Sequence, residues 1–175
     1  MFIHDNGKVC VLCATRCGHT SMYHHFTIEP HSITDPIDVW IKSKSQRVLV
    51  LRNPYARWIS ASKHSRKVRK RNPNMTSQEF QLNLRVHGAP YLHKISRSID
   101  FKIIDFDRLS EYITMSDDTF VTNSKWEDKH KKAKAFVELR SEYNNYLYFM
   151  KYCKEITPEE WKLLTIGDDS DILVE

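Results

Sequence analysis

The stretch VLVLRNPYARWISA, residues 48–61, decides the fold. Residues 47–51 (RVLVL) form a short apolar run, as expected for a strand buried on both faces. The run stops at Arg52. Asn53 followed by Pro54 is a helix start, with Asn as N-cap and Pro in the first turn. The helix is expected to continue to about residue 66. A strand that feeds a helix through so short a turn sets Arg52 at the strand's carboxyl end, the edge where open α/β sheets bind ligands. Ser60 falls almost two turns into the helix, on the face beside that edge. Together Arg52 and Ser60 can clamp a phosphate from two sides.

The same pattern recurs upstream. Residues 8–14 (KVCVLCA) read as another fully buried strand, followed by a polar loop and a helix over about 19–26. Residues 27–45 read as loop and short pieces, broken by Pro30 and Pro36. Thr76 and Glu79 fit a capping box that opens a helix over about 77–86. Residues 101–106 (FKIIDF) are a third strand, with a short helix over about 108–113. The last third reads as helical over 132–152, where Tyr143, Tyr146, Leu147 and Met150 form a core-packing stripe. Thr157 and Pro158 start a final helix that Gly167 ends. Strands alternating with helices imply a parallel sheet covered on both faces.

The composition agrees with a single folded domain. The chain has 175 residues, 41% hydrophobic and 28% charged, with four Gly and six Pro. No apolar run reaches membrane-span length, and residues 1–8 are too short and polar for a signal peptide, so a cytoplasmic setting is expected. The net charge of +5 favours anionic partners. The four cysteines do not form a disulfide framework. Cys10 and Cys13 sit in a strand on opposite faces, and no fourth ligand is near, which argues against zinc.

The first strand, loop and helix form the usual architecture for holding a phosphate on backbone amides. The loop runs Thr15, Arg16, Cys17, Gly18, His19, Thr20, Ser21. Against the nucleotide triphosphatase pattern G-x-x-x-x-G-K-[ST], Gly18 and Thr20 align. The first Gly is replaced by Cys13 and the phosphate-gripping Lys by His19. The cation comes earlier, at Arg16.

That loop resembles the 5′-phosphosulfate loop, [KR]-[ST]-G-[ST]-[ST], of sulfotransferases that use PAPS (3′-phosphoadenosine 5′-phosphosulfate). Arg16, Gly18, Thr20 and Ser21 fit, and Cys17 and His19 depart from it. Residues 48–61 resemble the same family's 3′-phosphate motif over ten consecutive positions. The helix from Ser77, the segment His87 to Pro90 and residues 101–109 are similar to parts of the carbohydrate branch, with Phe80 the single aromatic of the first and no Trp in the second.

The resemblance implies one sulfotransferase-like domain over residues 1–175. Its fold would be three-layer α/β/α with a central parallel sheet, like the P-loop nucleotide hydrolases. It implies PAPS as donor, 3′,5′-ADP as product, and a hydroxyl or amine acceptor, such as one on a carbohydrate. Arg16, Cys17, Gly18, His19, Thr20, Ser21, Arg52 and Ser60 would bind the donor. Arg16 would also stabilise charge on the leaving oxygen. A metal is not expected, because a sulfuryl group carries less charge than a phosphoryl.

For the general base, His31 is the first choice and His87 the second; Glu29 sits near the first. His24 and His25 read as lining the first helix. The basic run from Lys63 to Arg71 is either a polyanion guide or a solvated helix end, and residues 129–134 are a second basic cluster. Two other readings stay open: a small kinase using ATP and magnesium, with Asp105 and Asp107 as metal-binding candidates, and a non-catalytic polyanion-binding module. Membrane and nucleic-acid partners are not expected.

Overall fold

The computed structural model describes residues 1–27, 34–115 and 139–166. It is a mixed α/β domain around a four-stranded sheet. Strand β1 (Phe2–Asp5) and β2 (Val9–Cys13) come first, followed by helices α1 (His19–His25) and α2 (Pro36–Lys42). Then come β3 (Gln46–Leu51), α3 (Pro54–Arg71), α4 (Ser77–Gly88) and β4 (Lys102–Asp105). Helices α5 (Arg140–Tyr152) and α6 (Pro158–Thr165) close the described chain. Short 3-10 turns occupy Leu92–Lys94 and Phe106–Glu111.

The strand order is β1-β2-β3-β4. β2, β3 and β4 are parallel neighbours in sequence order, and Glu155 adds a single parallel bridge to Ile103 beyond β4. β2 is buried along its whole length, and so are the last four residues of β3. That continuous burial is the reason both runs are uniformly apolar.

The expectation of a wholly parallel sheet is corrected by β1, which pairs antiparallel with β2, Phe2 opposite Cys13. Only residues 6–8 separate the two strands, far too few for a crossover, so a hairpin is forced. Gly7 takes φ +83° at the turn, and the Asn6 side chain accepts from the amides of Lys8 and Val9, both at 2.9 Å.

Within the expected loop of residues 27–45, the described part from residue 34 on holds the helix α2. Asp35 caps α2 by accepting from Asp38 N–H, and Pro36 takes the first helical position rather than breaking a helix. Trp40 on α2 is fully buried and donates from Nε1 to the Cys10 and Val48 carbonyls at 3.0 and 3.2 Å.

Three helix starts follow their sequence signals: Asn53 caps α3, Thr76 and Glu79 form the capping box of α4, and Thr157 caps α6. α3 runs to Arg71, five residues beyond the expected end, so most of the basic run is helical. The aromatic stripe on α5 is corrected. Tyr146 and Met150 do pack, partly buried, against the core, but Leu147 is 47% exposed and the fully buried residues of the helix are Glu142 and Phe149. The described helix begins at Arg140; the expected start near residue 132 and the Gly167 stop lie outside the described residues. Among the described residues, no helix is long and apolar enough to cross a membrane.

Candidate functional site

Two strand-to-helix turns stand side by side at the carboxyl edge of the parallel strands: residues 14–18 after β2, and Arg52 with Asn53 after β3. The first is shaped by backbone conformation. Arg16 (φ 65°) and Gly18 (φ 88°) both lie in the left-handed region, and Cys17 N–H closes back on the Ala14 carbonyl at 3.0 Å. Gly18 is the N-cap of α1 without any side-chain cap. A Cβ at Gly18 would run into Leu109 Cδ2, so sterics as well as φ demand glycine there.

The arginines of the two turns meet. Arg52 is 4% exposed and donates from Nη1 to the Arg16 carbonyl at 2.5 Å, while its guanidinium lies 4.0 Å from the centroid of the Phe106 ring. Arg16 reaches the other way and donates from Nε to Ser60 Oγ at 3.2 Å. Ser60, almost fully buried, thus completes a chain Arg52, Arg16, Ser60 across the two turns. Burial, and then repulsion from Arg16, pushes the Arg52 guanidinium down to about 10. A cation held at such a cost is stabilised by an arriving anion.

Arg57, also buried at 2%, works from the next turn of α3. It donates to the carbonyls of Gly88 and Ala89 and lies 4.9 Å over the Tyr91 ring, fastening α3 to the end of α4. Glu142, 1% exposed, accepts from the Tyr91 and Leu92 amides at 2.7 and 2.9 Å. This buried brace behind the arginine cluster escaped the sequence reading. The signal available was the charge of Glu142 within an otherwise aromatic helix face.

The histidines divide. His87 packs its ring against His64 with centroids 4.6 Å apart, and the His87 carbonyl accepts from Thr15 Oγ1 at 3.3 Å. Burial, then His64 and Arg16, depress His87 to about 4. His19 is also depressed to about 4, by burial first and then by the chain's amino terminus and Arg16. Both rings are neutral at pH 7 and can accept a proton. His25 faces away, against Phe26 and Trp161. His31, Glu29 and residues 129–134 lie outside the described residues.

Of the loop positions, Thr20 is exposed in the first turn of α1 and Ser21 is fully buried. Cys17 is placed otherwise than expected for a donor-binding residue. Its amide is committed to Ala14, its thiol is buried, and its carbonyl accepts from Cys13 Sγ at 3.0 Å. Burial pushes the Cys10 thiol up to about 12 and those of Cys13 and Cys17 upward, so all three stay protonated. Among the described residues no set of three or more His, Cys, Asp or Glu is arranged to hold a metal ion.

Asp105 ends β4, where its carboxylate accepts from Asp107 N–H at 3.1 Å and caps the following 3-10 turn. β3 lies between β4 and β2, but the 3-10 turn that Asp105 caps folds back over the β2 loop: Leu109 and Phe106 lie against Gly18, and Asp107 attracts the Arg52 guanidinium. Compared with known proteins, the chain matches no family model, no curated protein and no solved structure.

Proposed function

We propose that this chain is a PAPS-dependent sulfotransferase with a three-layer, P-loop-like fold, transferring a sulfuryl group to a hydroxyl or amine and releasing 3′,5′-ADP. The observation that carries the reading is the hydrogen-bonded chain of Arg52, Arg16 and Ser60, drawn from two adjacent strand ends that each bear an anion-binding motif. Arg52 is lowered first by burial and then by repulsion from the nearby Arg16 cation. A donor with phosphates at both ends of one ribose relieves that repulsion twice.

In this reading Arg52 and Ser60 hold the 3′-phosphate, while Arg16 and the first amides of α1 hold the 5′-phosphosulfate. The first amides of any helix lack a carbonyl partner within it. The acceptor oxygen or nitrogen attacks sulfur in line, the bond from sulfur to the bridging oxygen breaks, and 3′,5′-ADP leaves with the electron pair. Arg16 stabilises the charge that grows on the bridging oxygen. His87, neutral beside Arg16, takes the acceptor's proton. The phosphosulfate's negative charge raises the proton affinity of the ring and makes it a stronger base than in the free protein. His31, the first choice from the sequence, lies outside the described residues.

A kinase reading draws less support. It needs a magnesium-binding carboxylate at the end of the strand beside the loop, where Arg52 follows β3 instead, and the nearby Asp107 lies close enough to attract the Arg52 guanidinium. Thermal unfolding with 3′,5′-ADP and with ATP plus magnesium separates the two. At a hundred times its dissociation constant, 3′,5′-ADP adds about 2.7 kcal/mol without metal. Stabilisation by ATP and magnesium alone overturns the proposal.

A further inference from the structure

At the opposite end of the sheet, where β3 and β4 begin, a cavity of about 710 Å³ opens among residues from three parts of the chain. That volume suits a ligand of two or three sugar rings. Its lining carries five cations, Lys44, Arg47, Arg97, Lys102 and Lys154, against one carboxylate, Asp100.

Most of this charge is uncompensated. Among the described residues, Lys102 is the one lining cation with a carboxylate partner, Glu160 of α6. Arg47 donates to three carbonyls, those of Ile41, Ser43 and Asp100, at 3.0–3.1 Å. These hold the guanidinium in place and leave its charge intact. Arg97 likewise has neutral partners: its Nη2 donates to Asn145 Oδ1 at 3.1 Å and its plane lies 4.2 Å over the Tyr148 ring. Tyr148 in turn meets Tyr152, with ring centroids 4.8 Å apart, and Tyr152 is 61% exposed. The cavity lining thus includes two guanidinium groups held by neutral partners and, against Arg97, a tyrosine pair whose outer member Tyr152 is exposed.

We infer that this cavity binds an acidic saccharide, a sugar chain bearing carboxylate or sulfate groups, at a site separate from the arginine cluster. Tyrosine faces stack on sugar rings through their C–H edges, and the fixed arginines and mobile lysines take the acid groups. The remaining lining favours a sugar over a nucleic-acid backbone. Asp100 accepts from hydroxyls but repels a closely spaced run of phosphates, and a concave cavity of this size does not track an extended strand. The inference does not depend on the identity of the nucleotide donor.

Calorimetric titration of the full chain tests it. The probes are a sulfated tetrasaccharide, an unsulfated uronate tetrasaccharide, neutral maltotetraose and an eight-nucleotide single strand of DNA. Both acidic saccharides should bind and maltotetraose should not. Lys44→Glu with Lys154→Glu should weaken binding at least tenfold, and Tyr152→Ala should weaken it severalfold. These side chains are exposed, so melting curves should match the parent. Lys67→Glu with Lys70→Glu on α3, and Arg52→Ala at the other edge, should leave saccharide affinity within twofold. No saccharide binding, or binding that the α3 pair abolishes and the cavity pair spares, overturns the inference. Tighter binding of the DNA through the cavity residues replaces it with a nucleic-acid site.

Discussion

The two turns at the carboxyl edge solve one problem by different means. After β2 the chain relies on backbone conformation: two left-handed residues, a glycine held against Leu109, and a helix without a side-chain cap. After β3 it relies on side chains: Asn53 caps the helix by accepting from Tyr55 and Ala56 amides, Pro54 presets the first turn, and Arg52 and Ser60 supply the polar groups. A turn built from backbone tolerates substitution poorly at its glycine. A turn built from side chains yields in smaller, separable steps.

Gly18→Ala should have the largest effect. It adds left-handed strain and a collision with Leu109, each costing about 1–3 kcal/mol, and urea denaturation should register a loss of about 2–5 kcal/mol. A loss below 1 kcal/mol would mean that the two turns do not differ as described. Arg57→Met comes next. It leaves the Gly88 and Ala89 carbonyls without their charged donor and should cost about 2–3 kcal/mol by the same measurement.

The histidines beside the first turn add a pH dependence that the second turn lacks. His19 and His87 titrate near 4 when folded and near 6.5 when unfolded, so between those values the unfolded chain binds more protons. Their contribution to stability is present above pH 6.5 and fades as pH falls toward 4. With the half-buried His87 given about half weight, Tm should drop by about 7–15 °C between pH 7 and pH 4.5, and His19→Gln with His87→Gln should flatten that slope. Asn53→Ala should give the smallest change, about 1 kcal/mol.

The same contrast explains what could be read from the sequence. The second turn was legible residue by residue, because Asn-Pro, the strand before it and the spacing from Arg52 to Ser60 are all local. The capping box at Thr76 and Glu79 was legible for the same reason. The first turn was legible only in outline. Cys17 reads as a loop donor, and nothing local shows that its amide is committed to Ala14. β1 was missed because four residues with two outward polar side chains carry little pattern, and α2 because Pro36 reads as a breaker until Asp35 is seen to cap it. Glu142 and Phe106, which brace and cover the arginines, come from distant elements. Their roles follow from tertiary packing alone.

The central claim is that Arg52 with Ser60 reads a 3′-phosphate while Arg16 and its loop read the 5′ end. The most direct measurement is the ratio of dissociation constants for 5′-AMP and 3′,5′-ADP, by calorimetry, in the parent chain and in Arg52→Ala. The account predicts that the parent prefers 3′,5′-ADP by about 10- to 100-fold, the value of one charged phosphate contact, and that the variant loses this preference while keeping its affinity for 5′-AMP. An undiminished preference in Arg52→Ala would contradict it.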